Sequence, residues 1–154
     1  MYEFLEYCVE DVMQSRVVTI GPDATLADAE TVFEDHQWNG LPVVAEGGRL
    51  VGMLTKLDLL AAFRFTDAHM FPPYADIMKR PVRDVMSADA QTVTPRAKLT
   101  DVLEKMVQSR RKSFPVVDGD ELVGIVARED VMGALRRAAS GKRPAALEGE
   151  APAR

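Results

Sequence analysis

Two stretches of the sequence set a carboxylate shortly after a run of apolar residues: GMLTKLD at 52–58 and GIVARED at 124–130. In the first, Asp58 follows Thr55 in a T-x-x-D pattern. In the second, Asp130 keeps its place but the threonine has become Ala127. An ionised carboxylate is an acceptor-only group that takes two or more hydrogen bonds. A helix N-terminus beside it presents free N–H groups and a positive dipole end, which suit a phosphate. Lys56 adds a cation at the first junction and Arg128 at the second. T-x-x-D is equally a helix-capping pattern, worth about 1 kcal/mol. Thr55 and Asp58 therefore start a helix, hold a ligand, or do both.

Other reactive residue types are sparse. Cys8 is the only cysteine, which excludes an intrachain disulfide and a cysteine-rich zinc site and makes a cytoplasmic location the default. His36 and His69 lack ligand-like spacing and read as surface or packing residues. Arg110, Arg111 and Lys112 form a basic run of the kind found on solvated faces. Arg136, Arg137, Lys142 and Arg143 cluster where cations favour a helix C-terminus. A net charge of −5 argues against a nucleic-acid surface. No apolar run approaches the roughly 18 residues that a membrane span needs. The N-terminal MYEFLEYCVEDVM carries acids where a signal peptide carries bases. With no paired catalytic carboxylates, nucleophile triad, metal cluster or P-loop lysine motif, the sequence reads as no enzyme and as needing no metal.

The elements that position the two junctions are written twice. VEDVM at 9–13 returns as VRDVM at 82–86, a shift of 73 residues, and PVV at 42–44 returns as PVV at 115–117. Thr19, Pro22, Leu26 and Asp28 meet Thr92, Pro95, Leu99 and Asp101 at the same shift. After the loss of one residue in a turn, LVG at 50–52 meets LVG at 122–124. Two copies at this period make a duplicated domain, not a solenoid. Each copy opens with a short strand, 17–20 or 91–93. An amphipathic helix follows, with Leu26, Ala29, Val32, Phe33 and His36 on one face, or Leu99, Val102, Leu103, Met106 and Val107. Thr25, with Asp28 three residues on, predicts a capping box. Two strands then turn at Gly47-Gly48 or Asp118-Gly119, and a second helix follows. Met13 and Met86 read as packing residues, and Trp38 as a core or interface residue or a lid over a cleft.

The reading is α/β (α+β): two β-α-β-β-α units, each too short to bury enough surface alone, packed sheet to sheet. The first repeat with the N-terminal segment spans 1–63, a linker 64–80, the second repeat 81–139, and a tail at 140–154 is expected to be disordered. The linker holds aromatics and a Pro-Pro break and is expected to pack on the core.

D-V-M, then T-[IV]-x-P-x-A-x-L-x-D, P-V-V and L-V-G ending in T-x-x-D, repeated over about 9–63 and 82–138, resembles a tandem pair of cystathionine-β-synthase (CBS) domains, a Bateman module, here stand-alone. The resemblance implies pseudo-twofold symmetry and a regulatory module that senses an adenosyl ligand, AMP, ADP, ATP or S-adenosylmethionine, with magnesium as an optional companion. It further implies a disc-like homodimer and an unidentified regulated protein, with no nucleic acid or membrane involved. By the cross-repeat rule of such modules, a first cleft would combine Thr55, Lys56 and Asp58 with Thr92, Val93, Lys112, Ser113, Phe114 and Pro115. Asp58 would take the ribose hydroxyls, and Lys112, with Arg111 beside it, would reach a phosphate. A second, weaker cleft would combine Arg128 and Asp130 with Thr19, Ile20, Asn39, Gly40, Leu41 and Pro42. It lacks the threonine hydroxyl and a cation, and Arg128 is placed to compensate. The alternative is a dimeric interaction scaffold that needs no nucleotide.

Overall fold

The structure, a computed structural model, describes residues 2–36, 38, 40–64 and 73–148. The chain forms two compact units. The first unit is residues 18–90; the second joins residues 1–17 to 91–154. The units therefore do not follow the repeat boundaries. The segment before each repeat is exchanged: VEDVM serves the second unit, VRDVM the first.

In the first unit, helix α1 (Leu26–Asp35) starts where the sequence predicts. Thr25 Oγ1 accepts from the Asp28 N–H at 3.2 Å, and Asp28 Oδ2 accepts from the Thr25 N–H at 3.0 Å. Leu26, Ala29 and Phe33 are buried. His36, expected on the same face, is exposed, because the helix ends at Asp35 and His36 is extended. Strands β1 (Gly40–Val44) and β2 (Leu50–Thr55) pair antiparallel, with Gly40 opposite Thr55. Their connection uses positive φ at Gly47 and Gly48 (81° and 83°), the freedom for which glycine was expected there. Helix α2 (Lys56–Ala61) follows without a gap.

Ile20, Leu26, Phe33, Leu41, Val43, Leu54 and Val82 pack as one core. The short helix α3 (Tyr74–Met78) adds Ile77 and Met78 to it. Tyr74 stacks on Phe63 at 5.6 Å and donates its hydroxyl to Glu30 at 2.8 Å. This part of the linker packs as expected; residues 65–72, with His69, lie outside the described residues.

The second unit repeats the plan with α4 (Leu99–Ser109), β3 (Ser113–Asp118), β4 (Glu121–Ala127) and α5 (Arg128–Ala139). Its core holds Val93, Leu99, Val102, Met106, Phe114, Val116, Val126 and Val131 together with Phe4, Tyr7, Val9 and Val12 from the N-terminal segment.

The expected first strands contract to single bridges, Ile20 with Val43 and Val93 with Val116. The prolines explain this. Pro22 and Pro95 follow two residues later and have no N–H to continue a ladder. Pro42 and Pro115 instead offer carbonyls, which accept from Ile20 and Val93 N–H, both at 3.1 Å. On the far side of each hairpin the exchanged segment pairs in turn. Met53 exchanges two backbone bonds with Ser87, and Ile125 exchanges two with Gln14. These approaches are close enough to demand glycine in the LVG motif. A Cβ on Gly52 would lie 2.7 Å from the Ser87 carbonyl oxygen, and one on Gly124 would lie 2.9 Å from that of Gln14. Met86 and Met13 press on the same glycines, so the two methionines are packing residues as read.

The tail departs from expectation. Residues 140–148 are built into the second unit: Tyr7 donates its hydroxyl to the Lys142 carbonyl at 3.1 Å, Arg143 pairs with Glu6 at 2.7 Å, and Pro144 is buried. Low apolar periodicity misled because Glu6 and Tyr7 of the N-terminal segment, not a helix face, hold this stretch. Residues 149–154 lie outside the described residues.

Candidate functional site

Both junctions stand at the seam where a strand runs into a helix. At the first, Thr55 is the last residue of β2 and the N-cap of α2, with extended backbone (φ −110°, ψ 163°). Its N–H donates to Asp58 Oδ2 at 2.8 Å, and its Oγ1 accepts from the Asp58 N–H at 3.2 Å. The reciprocal box holds the carboxylate in one orientation. Asp58 Oδ1 has no hydrogen-bond partner among the described residues. Lys56 is exposed, and its Nζ lies 5.9 Å from the Phe33 ring centre, turned towards α1.

At the second junction half of the box is missing. Asp130 Oδ2 accepts from the Ala127 N–H at 2.8 Å, but Ala127 has no hydroxyl to return the bond. Its other oxygen, Oδ1, accepts from Gln14 Nε2 at 3.1 Å. Arg128 is turned away to its own backbone. Its Nη2 donates to the Arg110 carbonyl at 2.6 Å and its Nε to the Arg111 carbonyl at 3.2 Å, which closes the loop before β3. The expected compensation by Arg128 is thus not expressed in its side-chain bonds.

The remaining expected residues fall as follows. Gly40 faces Thr55 in the β1–β2 register, and Ser113 faces Ala127 in β3–β4. Each junction therefore stands beside the first strand of its own hairpin. Leu41, Pro42, Phe114 and Pro115 are buried, as are Ile20 and Val93, so these residues offer a ligand backbone more than side chain. Thr19 and Lys112 are exposed, and Thr92 is half-buried. Asn39 lies outside the described residues. The cross-repeat sets join residues of different units: Thr55, Lys56 and Asp58 belong to the first, Thr92, Val93 and 112–115 to the second.

Gln14 is the residue that sequence reading missed. The repeat alignment carried one step past D-V-M sets Gln14 against Ser87, and that difference was the available signal. Elsewhere, burial, with Asp11 and Glu10 nearby, pushes the Cys8 thiol up from its ordinary value, which keeps it protonated and a poor nucleophile. Among the described residues no group of three His, Cys, Asp or Glu side chains could hold a metal, and no helix is long and apolar enough to cross a membrane.

The family model for the CBS domain matches residues 9–64 and 82–137, one match per repeat. The chain belongs to the CBS-domain family. Among curated relatives, the CBS domain-containing protein YhcV of Bacillus subtilis (strain 168) is 35% identical over 123 residues, which cover 80% of this chain and 81% of that protein. Among solved structures, CBSX2 of Arabidopsis thaliana, crystallised in complex with AMP, is 26% identical with a TM-score of 0.75, over 86% of this chain and 98% of that one. The CBS domain pair of protein MJ0100, in complex with 5′-methylthioadenosine and S-adenosyl-L-methionine, is 26% identical with a TM-score of 0.68, over 88% of this chain and 98% of that one. The fold is thus the two-repeat α+β arrangement of CBS pairs.

Proposed function

We propose that this CBS pair is a regulatory module, not an enzyme, that binds an adenosyl nucleotide at the Thr55–Asp58 junction. Two related CBS pairs crystallised with adenosyl compounds support the class of ligand. The observation that carries the choice of junction is the unengaged Oδ1 of Asp58, set beside Asp130, whose two oxygens are both occupied. A ribose diol presents two hydroxyl donors, and a fixed carboxylate with a free oxygen is their complement. Lys112, Ser113 and the 92–93 backbone, as the resemblance implies, complete the cleft, with the exposed Lys112 ammonium as the phosphate contact. The Asp130 junction with Thr19, Ile20 and 40–42 is the weaker site. Signalling follows if the nucleotide binds one arrangement of the paired repeats more tightly than another and shifts a homodimer towards it, altering its affinity for a regulated protein.

Isothermal titration calorimetry of the nucleotide-stripped protein against AMP, ADP, ATP and S-adenosylmethionine, with and without magnesium, tests this reading. Asp58→Asn is the informative variant, since its amide oxygen can still cap α2 while one anionic acceptor is lost. Binding that disappears in Asp58→Asn and persists in Asp130→Asn supports the assignment. Binding that tracks Asp130 moves the site. A folded protein that binds none of the four is a scaffold.

A further inference from the structure

An open groove of about 420 Å³ runs between α4 and α5 within the second unit. Helix α4 lends it Leu103, Met106, Val107 and Arg110, and α5 lends it Arg128, Val131, Met132 and Leu135. Each set follows the spacing i, i+3, i+4, i+7, which puts four side chains on one helix face. Arg110 ends α4 and Arg128 begins α5, and Arg128 Nη2 donates to the Arg110 carbonyl at 2.6 Å, so both cations stand at one end of the groove. Leu103 and Leu135 lie two turns further along their helices, about 10 Å away. The groove is thus apolar along its length and cationic at one end.

Nothing among the described residues neutralises that end. No acid lines the groove. The Arg110 guanidinium has no ion-pair or hydrogen-bond partner among the described residues. Arg128 commits Nε and Nη2 to the Arg111 and Arg110 carbonyls and keeps Nη1 unengaged. Arg110 also holds a left-handed backbone (φ 58°) at the end of α4, where helices ordinarily place glycine. Backbone preference therefore does not account for an arginine at this position. The walls stay open: Val107 and Met132 are 66% and 52% exposed. Contiguous apolar surface with a charged rim marks a binding site.

The aligned groove of the first repeat, between α1 and α2, is built differently. Lys56 stands where the second repeat has Arg128, but Glu30 and Glu34 stand where it has Leu103 and Val107. An anion is opposed there by two carboxylates. In the second repeat the same two positions extend the apolar wall. A trough of this form complements an unbranched apolar chain that ends in an anion. A carboxylate suits a guanidinium, whose planar fork matches its two oxygens.

We propose that the α4–α5 groove binds a medium-chain fatty acid from solution, with its carboxylate on Arg110 and Arg128 and its chain between Val107 and Met132. An extended octanoyl chain is about the length of the groove. Neither Asp58 nor Asp130 lines this groove, so the proposal stands whether or not a nucleotide binds.

Methionine-methyl NMR of the full chain, with hexanoate, octanoate and decanoate below their micelle concentrations, tests it. The Met106 and Met132 methyls shift and saturate as a single site, while Met78, which lines the first groove, stays in place. Affinity rises about two- to fourfold for each added methylene. Decanol, with the same chain and no charge, binds at least about tenfold more weakly than decanoate. Val107→Glu, which puts the acid of the first repeat on an exposed side chain, weakens decanoate binding beyond detection, and Arg110→Gln weakens it at least about tenfold. Circular dichroism confirms that both variants are folded, and the decanol comparison needs no variant. Each of the following overturns the proposal: decanol binding as tightly as decanoate, equal shifts at Met78, full binding in Val107→Glu, binding only above the micelle concentration, or no shift at all because a second copy of the chain covers the groove.

Discussion

The Thr55–Asp58 and Ala127–Asp130 junctions share a backbone and differ in what their carboxylates still have to give. In both, one aspartate oxygen accepts from the N-cap N–H at 2.8 Å. Thr55 returns a bond and leaves Asp58 with an oxygen to offer. At Ala127 no bond is returned, and Gln14 takes the second oxygen of Asp130. A duplicated fold thus need not carry duplicated hydrogen bonds: two differences, at a cap and at a neighbouring segment, set the two junctions apart.

The largest expected effect separates the two aspartates. Asp58→Asn lowers nucleotide affinity roughly thirtyfold, for the loss of a charged hydrogen bond worth about 2 kcal/mol. Asp130→Asn changes it less than about threefold. Calorimetry on both variants reads the contrast, and equal losses would dissolve it.

Next come the two glycines under the exchanged segments. Gly124→Ala forces Met13 and Gln14 away from β4 and destabilises the second unit by about 1–3 kcal/mol, the usual cost of overpacking. It also withdraws Gln14 from Asp130. Gly52→Ala does the same to Met86 and Ser87 in the first unit. Denaturant unfolding followed by hydrogen exchange locates each loss in its own unit.

A smaller exchange is expected at the caps. Thr55→Ala removes half a capping box and costs about 1 kcal/mol, whereas Ala127→Thr supplies the missing half and stabilises by up to about 1 kcal/mol. Thermal melts of the two variants should shift in opposite directions. The smallest effect on stability is that of Gln14→Ser, within about 0.5 kcal/mol for an exposed side chain. Its value lies in the pair Gln14→Ser/Ala127→Thr, which rebuilds the second junction as a copy of the first. A second calorimetric binding event in that protein would show that these two residues alone silence it.

What the sequence made legible was local. The capping boxes of α1 and α2 are i to i+3 relations, the hairpin turns are marked by glycine, and the duplication shows in residue identities. The family followed from the same motifs. What escaped reading depends on residues far apart in the chain. The Gln14–Asp130 bond spans 116 positions, and nothing near either residue announces it. The opening strands looked like full strands from their apolar residues, but the prolines that follow cut each to one bridge. Residues 140–148 looked featureless because their order is supplied by Glu6 and Tyr7.

The exchange of the leading segments also sets an order of assembly. Residues 18–90 are one unbroken stretch, so the first unit has all its parts as soon as that stretch has been synthesised. The second unit has its parts at both ends of the chain. Tyr7 must find Lys142 across 135 positions, and Gln14 must find Asp130 across 116. Closing loops of that length comes late and slowly. Until it does, Phe4, Tyr7, Val9 and Val12 have no core to enter. Residues 4–12 are thus made well before the segment that buries them, and stay sticky and uncovered until residues 93–138 have followed.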